Sequence, residues 1–211
     1  MNFQIIFHMD GKGIIYDPRE PIHLDSLLEW ALARRVGCAA PINRDEQPTT
    51  LPLPLLKKTL GESWVYQASA LFPDGPQYES TQFWRKRLRQ ESIEITQGSP
   101  SVKNGPYRSW NNPMTLILIP RMVAYASGNR KRTKNLLREV KYLGKKRAHG
   151  HGKILQMEFR EVEHNWSLVK DGRAMRCLPD PDGARLQRCN PPYWNIVDRV
   201  SCVGVGDPWH G

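Results

Sequence analysis

The chain has 211 residues, enough for one domain, or one domain with a sizeable insertion, to bury a core without covalent staples. Hydrophobic residues are 39% and charged residues 25%, which excludes a wholly disordered chain, and the longest apolar run, residues 114–119, is far too short to span a bilayer. The unusual quantity is charge, with 31 Lys and Arg against 21 Asp and Glu, a net +10.

The opening stretch MNFQIIFHMDGKG lacks a basic start, a long apolar segment and a small-residue cleavage site. No signal peptide is expected, and the expected setting is the cytoplasm. Residues 3–9 are β-branched and aromatic, end at Asp10-Gly11 and predict a buried strand. A short apolar piece, Ile14-Ile15-Tyr16, stops at Asp17-Pro18, and Pro18 and Pro21 mark a turn. Leu24, Leu27, Leu28, Ala31 and Leu32 form one helical stripe, with Arg34 and Arg35 in the last turn and Gly37 as the stop.

Residues 39–54 are polar and proline-rich and predict a loop. Residues 64–72 predict a strand that closes at Pro73-Asp74-Gly75-Pro76. Residues 81–89 fit a strand or a short helix, and 93–96 alternate like the return arm of a hairpin. Residues 97–113 are loop-like. Residues 114–125 predict one central strand despite Pro120. Residues 130–143 predict a helix with Leu136, Leu137, Val140 and Leu143 toward the core and Gly144 as its stop. Residues 154–162 predict a strand, with Leu155, Met157 and Phe159 on one face. Asp171-Gly172 predicts the turn of a hairpin between 166–169 and 174–178. The proline-rich tail is expected to be ordered by docking on the domain.

Eleven of the 31 basic residues and one acid, Glu139, lie between Arg121 and Lys153, leaving twenty of each sign elsewhere. The whole excess therefore sits in one segment, which implies a polyanionic partner, nucleic acid by default. The plainer alternative is a solvated basic helix. The loop Gly144-Lys145-Lys146-Arg147-Ala148-His149-Gly150-His151-Gly152-Lys153 suits a phosphodiester backbone. Its glycines permit positive φ and close approach, its N–H groups can form an anion nest, and its cations supply charge and an arginine fork. His149 and His151 can donate hydrogen bonds or stack on bases. The loop is neither a Walker A loop nor GxGxxG. Composition alone also leaves open a plain turn between helix and strand.

Cys38, Cys177, Cys189 and Cys202 contain no CxxC pair and the histidines form no HExxH, so the expectation is buried thiols, no metal site and no cofactor.

Two βαβ-like halves suggest an α+β, ferredoxin-like (RRM-like) fold. GKKRAHGHGK after a basic helix resembles the glycine-rich loop of the RAMP superfamily of CRISPR proteins. The stretch FHMDGKGIIYDPREPIHLDSLLEWALA, residues 7–33, resembles the type IV effector subunit of the Cas five group. The resemblance implies a RAMP domain over residues 1–162, with an inserted β-hairpin thumb at about 75–113, and an irregular C-terminal extension over 163–211. It implies a non-catalytic subunit in a prokaryotic cytoplasm that holds the 5′ handle of a CRISPR guide RNA and caps a filament of RAMP backbone subunits. The implied complex also contains a large subunit, binds target DNA and uses an accessory helicase, with no membrane partner. The RNA-binding residues carried over are the loop, Gly144, Lys145, Lys146, Arg147, His149, Gly150, His151, Gly152 and Lys153, and the neighbouring cations Arg130, Lys131, Arg132, Lys134, Arg138 and Lys141. The thumb candidate, residues 81–100, adds Trp84, Arg85, Lys86 and Arg87, which combine stacking and charge.

The principal rival is a RAMP-family endoribonuclease that processes repeat RNA, with His23 or Tyr16 as proton-transfer groups. Against it, His23 in PIHLD can brace the helix start, and Asp25 fits a cap or first-turn acid. An unrelated DNA- or RNA-binding protein is a third possibility, although no helix–turn–helix or RNP signature is present.

Overall fold

The computed structural model describes residues 1–38, 45–86 and 109–209. They form a mixed α+β fold with antiparallel sheets. The central sheet has the order β4-β7-β1-β8, from β1 (Asn2–Met9), β4 (Phe72–Asp74), β7 (Arg121–Ser127) and β8 (Ile154–Glu161). Ile5 stands opposite Ala124 on one side and Phe159 on the other, so β1 is paired along both edges. Helix α1 (Leu24–Val36) connects β1 to β4, and α2 (Arg130–Leu137) connects β7 to β8. Each connection passes over one intervening strand.

The helices cover one face of this sheet. Phe3, Ile5 and Phe7 pack with Leu24, Leu28, Ala31, Leu136 and Leu137, all buried. Each of the leucine, isoleucine and phenylalanine side chains contributes roughly 1.5–3 kcal/mol. Ile6, Val123 and Tyr125 point to the opposite face, where Met175 packs against them and Trp166 and Phe72 lie at the edge. Helix α1 follows its predicted stripe. Gly37, at φ +69°, ends it in the left-handed region that favours glycine, and its N–H bonds the Ala33 carbonyl.

Three expectations change. Residues 114–125 are not one strand. The chain breaks at Ile119-Pro120, with β6 (Trp110–Leu118) in a separate hairpin and β7 in the central sheet. Pro120 cannot donate to a ladder, and its carbonyl instead accepts from Met9 N. Residues 64–72 are also divided. β3 (Ser63–Tyr66) pairs with β2 (Lys57–Leu60), and the chain reaches β4 through isolated bridges at Ala68 and Ala70. Third, helix α2 stops at Leu137 rather than near Leu143. Val140 and Leu143 keep their buried places, but residues 141–143 run extended against 152–154. Leu143 N bonds Gly152 O, and Ile154 N bonds Lys141 O. The apolar spacing served both conformations, and this backbone pairing decided between them.

β5 (Tyr78–Lys86) takes the strand alternative for residues 81–86, and its partner is β6. Trp110–Pro113, expected in a loop, belongs to that strand. The proposed return arm at 93–96 lies outside the described residues, as do residues 87–89. The expected turn at Asp171-Gly172 is present between β9 (Val169–Lys170) and β10 (Arg173–Ala174), with both residues at positive φ. Beyond it β11 (Leu178–Pro179), β12 (Arg185–Gln187) and β13 (Val200–Val203) form a small sheet in the order β11-β13-β12.

A buried arginine joins this extension to the first helix. Arg176 and Asp25 are both fully buried and pair at 3.1 Å. Arg176 Nη1 donates to the Tyr66 and Ala68 carbonyls, Nε to the Cys177 carbonyl, and Nη2 to the Cys189 carbonyl and the Tyr193 hydroxyl. The Tyr193 hydroxyl lies 2.9 Å from both Asp25 oxygens, to which it donates. Truncating one member leaves the other charge buried and unpaired. Arg176→Leu is therefore expected to cost about 3–5 kcal/mol in urea unfolding, and Asp25→Leu with Arg176→Leu less than the sum of the single changes.

Candidate nucleic-acid interface

The glycine-rich loop, residues 144–153, is an excursion closed at its neck. Beyond the Leu143–Gly152 bond, Lys145 N donates to Ile15 O and Gly152 N to Gly13 O, so the neck is sewn to the segment after β1. A Cβ on Gly152, at φ +70°, would lie 1.9 Å from the Leu143 oxygen, and one on Gly144 2.5 Å from the Ile15 oxygen. The close approach expected of these glycines is therefore made to the protein's own backbone. Gly150, at φ +86°, has open space where its Cβ would be. It follows a 3₁₀ turn, Arg147–His149, at the exposed tip.

The loop and the β5–β6 hairpin meet. Lys146 Nζ lies 4.5 Å from the centre of the Trp84 ring, and His149 meets that ring edge-on at 4.1 Å. Trp84 is nearly parallel to Trp110, with ring centres 6.2 Å apart. Register explains the pairing. Trp84 faces Asn112 and Lys86 faces Trp110, so the tryptophans are diagonal neighbours on one face. On the loop's other flank the Arg147 guanidinium stands 5.4 Å from the Trp30 ring of α1. A line of aromatic rings and cations thus runs from the hairpin across the loop to the first helix. Such a surface can stack bases and neutralise phosphates.

Beside it lies a cleft of about 680 Å³, bounded by α1, the loop and the C-terminal tail. Tyr16, Trp30, Tyr142 and Trp194 line it together with Lys145 and Arg147. Trp110, Tyr142 and Trp194 carried no motif in the sequence; Tyr142 precedes the loop by two residues, whereas only the fold brings Trp110 beside Trp84 and Trp194 into the cleft. Glu29 also lines the cleft. Burial, reinforced by nearby Asp25, pushes its carboxyl up to about 7.

The remaining predicted cations fall in several places. Lys134, Arg138 and Lys141 line a separate groove over β8, where Lys134 Nζ lies 5.7 Å from the Phe159 ring. Arg130 pairs with Glu161 at 3.9 Å and Lys145 with Glu20 at 3.8 Å, both on the surface. Lys131, Arg132 and Lys153 are exposed, and His151 is half-buried with its Nδ1 lacking a hydrogen-bond partner. Arg85 bonds Asn111 within the hairpin, whose Lys86 is exposed. Arg87 lies outside the described residues.

His23 and Tyr16 both border the cleft. His23 is buried at the N-cap of α1 without making a side-chain cap, and it stacks on Tyr193 at 4.2 Å. Burial lowers its pKa to about 4, so the ring is neutral at neutral pH. Burial also raises the Tyr16 phenol. Asp25 does lie in the first turn, and it bonds Ser26 N as well as Arg176. Among the described residues, the side chains grouped closely enough to hold a metal ion are Cys177, Cys189 and Cys202.

These features define an α+β protein with a basic, aromatic surface built from one loop and one hairpin. The family model for CRISPR type IV associated protein Csf3 matches residues 2–105 and 81–204, and the chain belongs to that family. A comparison with curated proteins returns no match. None of the described helices is long and apolar enough to cross a membrane.

Two measurements test this construction. Gly152→Ala is expected to lose about 2–4 kcal/mol of unfolding free energy, from positive φ and the clash with Leu143, whereas Gly150→Ala loses about 1–2 kcal/mol from φ alone. Glu29, with a raised native pKa, binds a proton more tightly folded than unfolded, so stability falls as pH rises from its ordinary value of 4.5 through about 7. Glu29→Gln should flatten that decline and gain about 1–2 kcal/mol at pH 8, allowing for its partial exposure. Melting curves between pH 4 and 8 would read both effects.

Proposed function

We propose that the chain is a non-catalytic subunit of a type IV CRISPR effector complex that binds and caps the 5′ handle of the guide RNA. The observation that carries the proposal is the convergence of the glycine-rich basic loop with Trp84 and Trp110, in a member of a type IV CRISPR-associated family. Two independent stretches of sequence, each with stacking or charge character, meet on one surface.

The sheet order β4-β7-β1-β8, with each helix passing over one strand, supports a ferredoxin-like RAMP domain. The β5–β6 hairpin, exposed along most of its length, supports the thumb. In this reading phosphates lie along Lys145, Lys146 and Arg147, and a base stacks near Trp84. The cleft beside Trp30 receives the end of the strand. Backbone RAMP subunits, a large subunit, target DNA and a helicase complete the proposed assembly.

Binding of a labelled handle RNA tests the proposal. Lys145→Glu with Arg147→Glu is expected to weaken binding by about tenfold or more, and the same reversal at Arg85 and Lys86 by much less. Equal losses would remove the loop as the principal site. Affinity should fall with salt at a log–log slope of about 0.7 per neutralised phosphate, and a flat response would exclude phosphate binding. Repeat RNA should remain intact when incubated with the protein without metal. Cleavage at one position, abolished in a folded His23→Ala variant, would replace the capping role by endoribonuclease chemistry.

A further inference from the structure

We propose that Cys177, Cys189 and Cys202 bind a structural zinc ion that staples the C-terminal extension. The three are separated in sequence by eleven and twelve residues and form no close pair, but the small sheet gathers them. Cys177 immediately precedes β11, Cys189 follows β12, and Cys202 lies within β13. All three are buried, at 0%, 4% and 0% exposure. Their sulfurs lie within 4.8 Å of one another.

This separation suits a shared ion. Zinc–sulfur bonds of about 2.3 Å set tetrahedral ligand sulfurs about 3.8 Å apart. The Cys177 and Cys189 sulfurs are 3.1 Å apart, well beyond a disulfide bond, so small side-chain rotations would seat a metal. A disulfide would use two of the thiols and leave the third unexplained. Soft thiolates select zinc among the common divalent ions. Binding exchanges three thiol protons for Zn²⁺, giving a centre of net charge −1 whose fourth position is open to water or another donor. Arg176, bonded to the carbonyls of Cys177 and Cys189, places a cation beside two of the ligand residues and shares it with Asp25.

The local core supplies the physical need. The extension's strands are two to four residues long. Among the described residues its buried cluster holds Val65, Ala174 and Leu178 besides the three cysteines, with partly buried side chains such as Leu168, Val200 and Trp209 packed around them. So little apolar area gives small stabilisation, and small units of this kind are commonly stapled by metal.

The test uses the full chain, expressed with zinc in the medium and purified without chelator. Elemental analysis should find about one zinc per chain. Cobalt(II) exchange should give the visible bands of a tetrahedral thiolate site, and a strong chelator should lower the melting temperature. A Cys177→Ser, Cys189→Ser, Cys202→Ser variant should lose the metal. Because that variant can fail to fold, the cobalt spectrum and chelator response of the unaltered chain are decisive by themselves. Less than about a tenth of an equivalent of zinc with no cobalt–thiolate spectrum would overturn the proposal. So would copper in place of zinc, full zinc retention in the folded triple variant, or a reductant-sensitive mass deficit of one disulfide.

Discussion

The buried guanidinium of Arg176 is the constraint on which much of the architecture depends. An arginine cannot shed its charge, and its five N–H groups need acceptors wherever it is buried. Here those acceptors come from separate parts of the chain: Asp25 in the first helix, the Tyr66 and Ala68 carbonyls before β4, and the extension at Cys177, Cys189 and Tyr193. None can be moved without exposing another unsatisfied group. The pair thereby couples the placement of α1 to the docking of the last fifty residues. It also holds Tyr193 against His23 and fixes one wall of the cleft. A hydrophobic contact at the same place would tolerate sliding, whereas this geometry does not.

The basic loop illustrates a division between scaffold and surface. Its two outer glycines allow the neck to press against Ile15 and Leu143, which fixes where the loop leaves the domain. Its cations then occupy the exposed tip, with aromatic rings beneath Lys146 and Arg147. Among the described residues of the basic segment, Arg121 pairs with Asp74 at 2.8 Å, Arg130 with Glu161 at 3.9 Å and Lys145 with Glu20 at 3.8 Å, all partly exposed, and such pairs are worth little. With eleven cations against one acid in the segment, and three of those cations beside carboxylates from elsewhere, most of its positive charge still faces solvent. The fold also divides the basic helix from the loop. Lys134, Arg138 and Lys141 address a different groove, so a net charge read along the sequence becomes more than one surface in space.

Several features were legible without coordinates because the forces behind them are local. The stripe and glycine stop of α1, the strand after Asn2 and the Asp171-Gly172 turn each follow from side-chain periodicity or backbone sterics. The excess of charge, the glycine-rich loop and the family resemblance of residues 7–33 were legible in the same way, and the Csf3 match agrees with a type IV CRISPR association. Errors occurred where distant backbone decided the outcome. Leu136, Leu137, Val140 and Leu143 suit a long helix by spacing, yet the pairing of 141–143 with 152–154 shortens it. Met114 to Tyr125 looks continuous by hydrophobicity, yet Pro120 lets its halves join different sheets.

By itself the sequence determined the helix stripe, the turns, the concentration of positive charge and the chemical character of the loop, since these depend on neighbours within a few residues. Tertiary structure alone decided that Trp84 meets Lys146 and His149, that Arg176 seals Asp25 inside the protein, and that three distant thiols converge. Those contacts join residues 12 to 25 positions apart for the cysteines, more than sixty for Trp84 and the loop, and more than a hundred for Arg176 and Asp25. Their partners are selected by sheet register and chain crossing, quantities that no local pattern encodes.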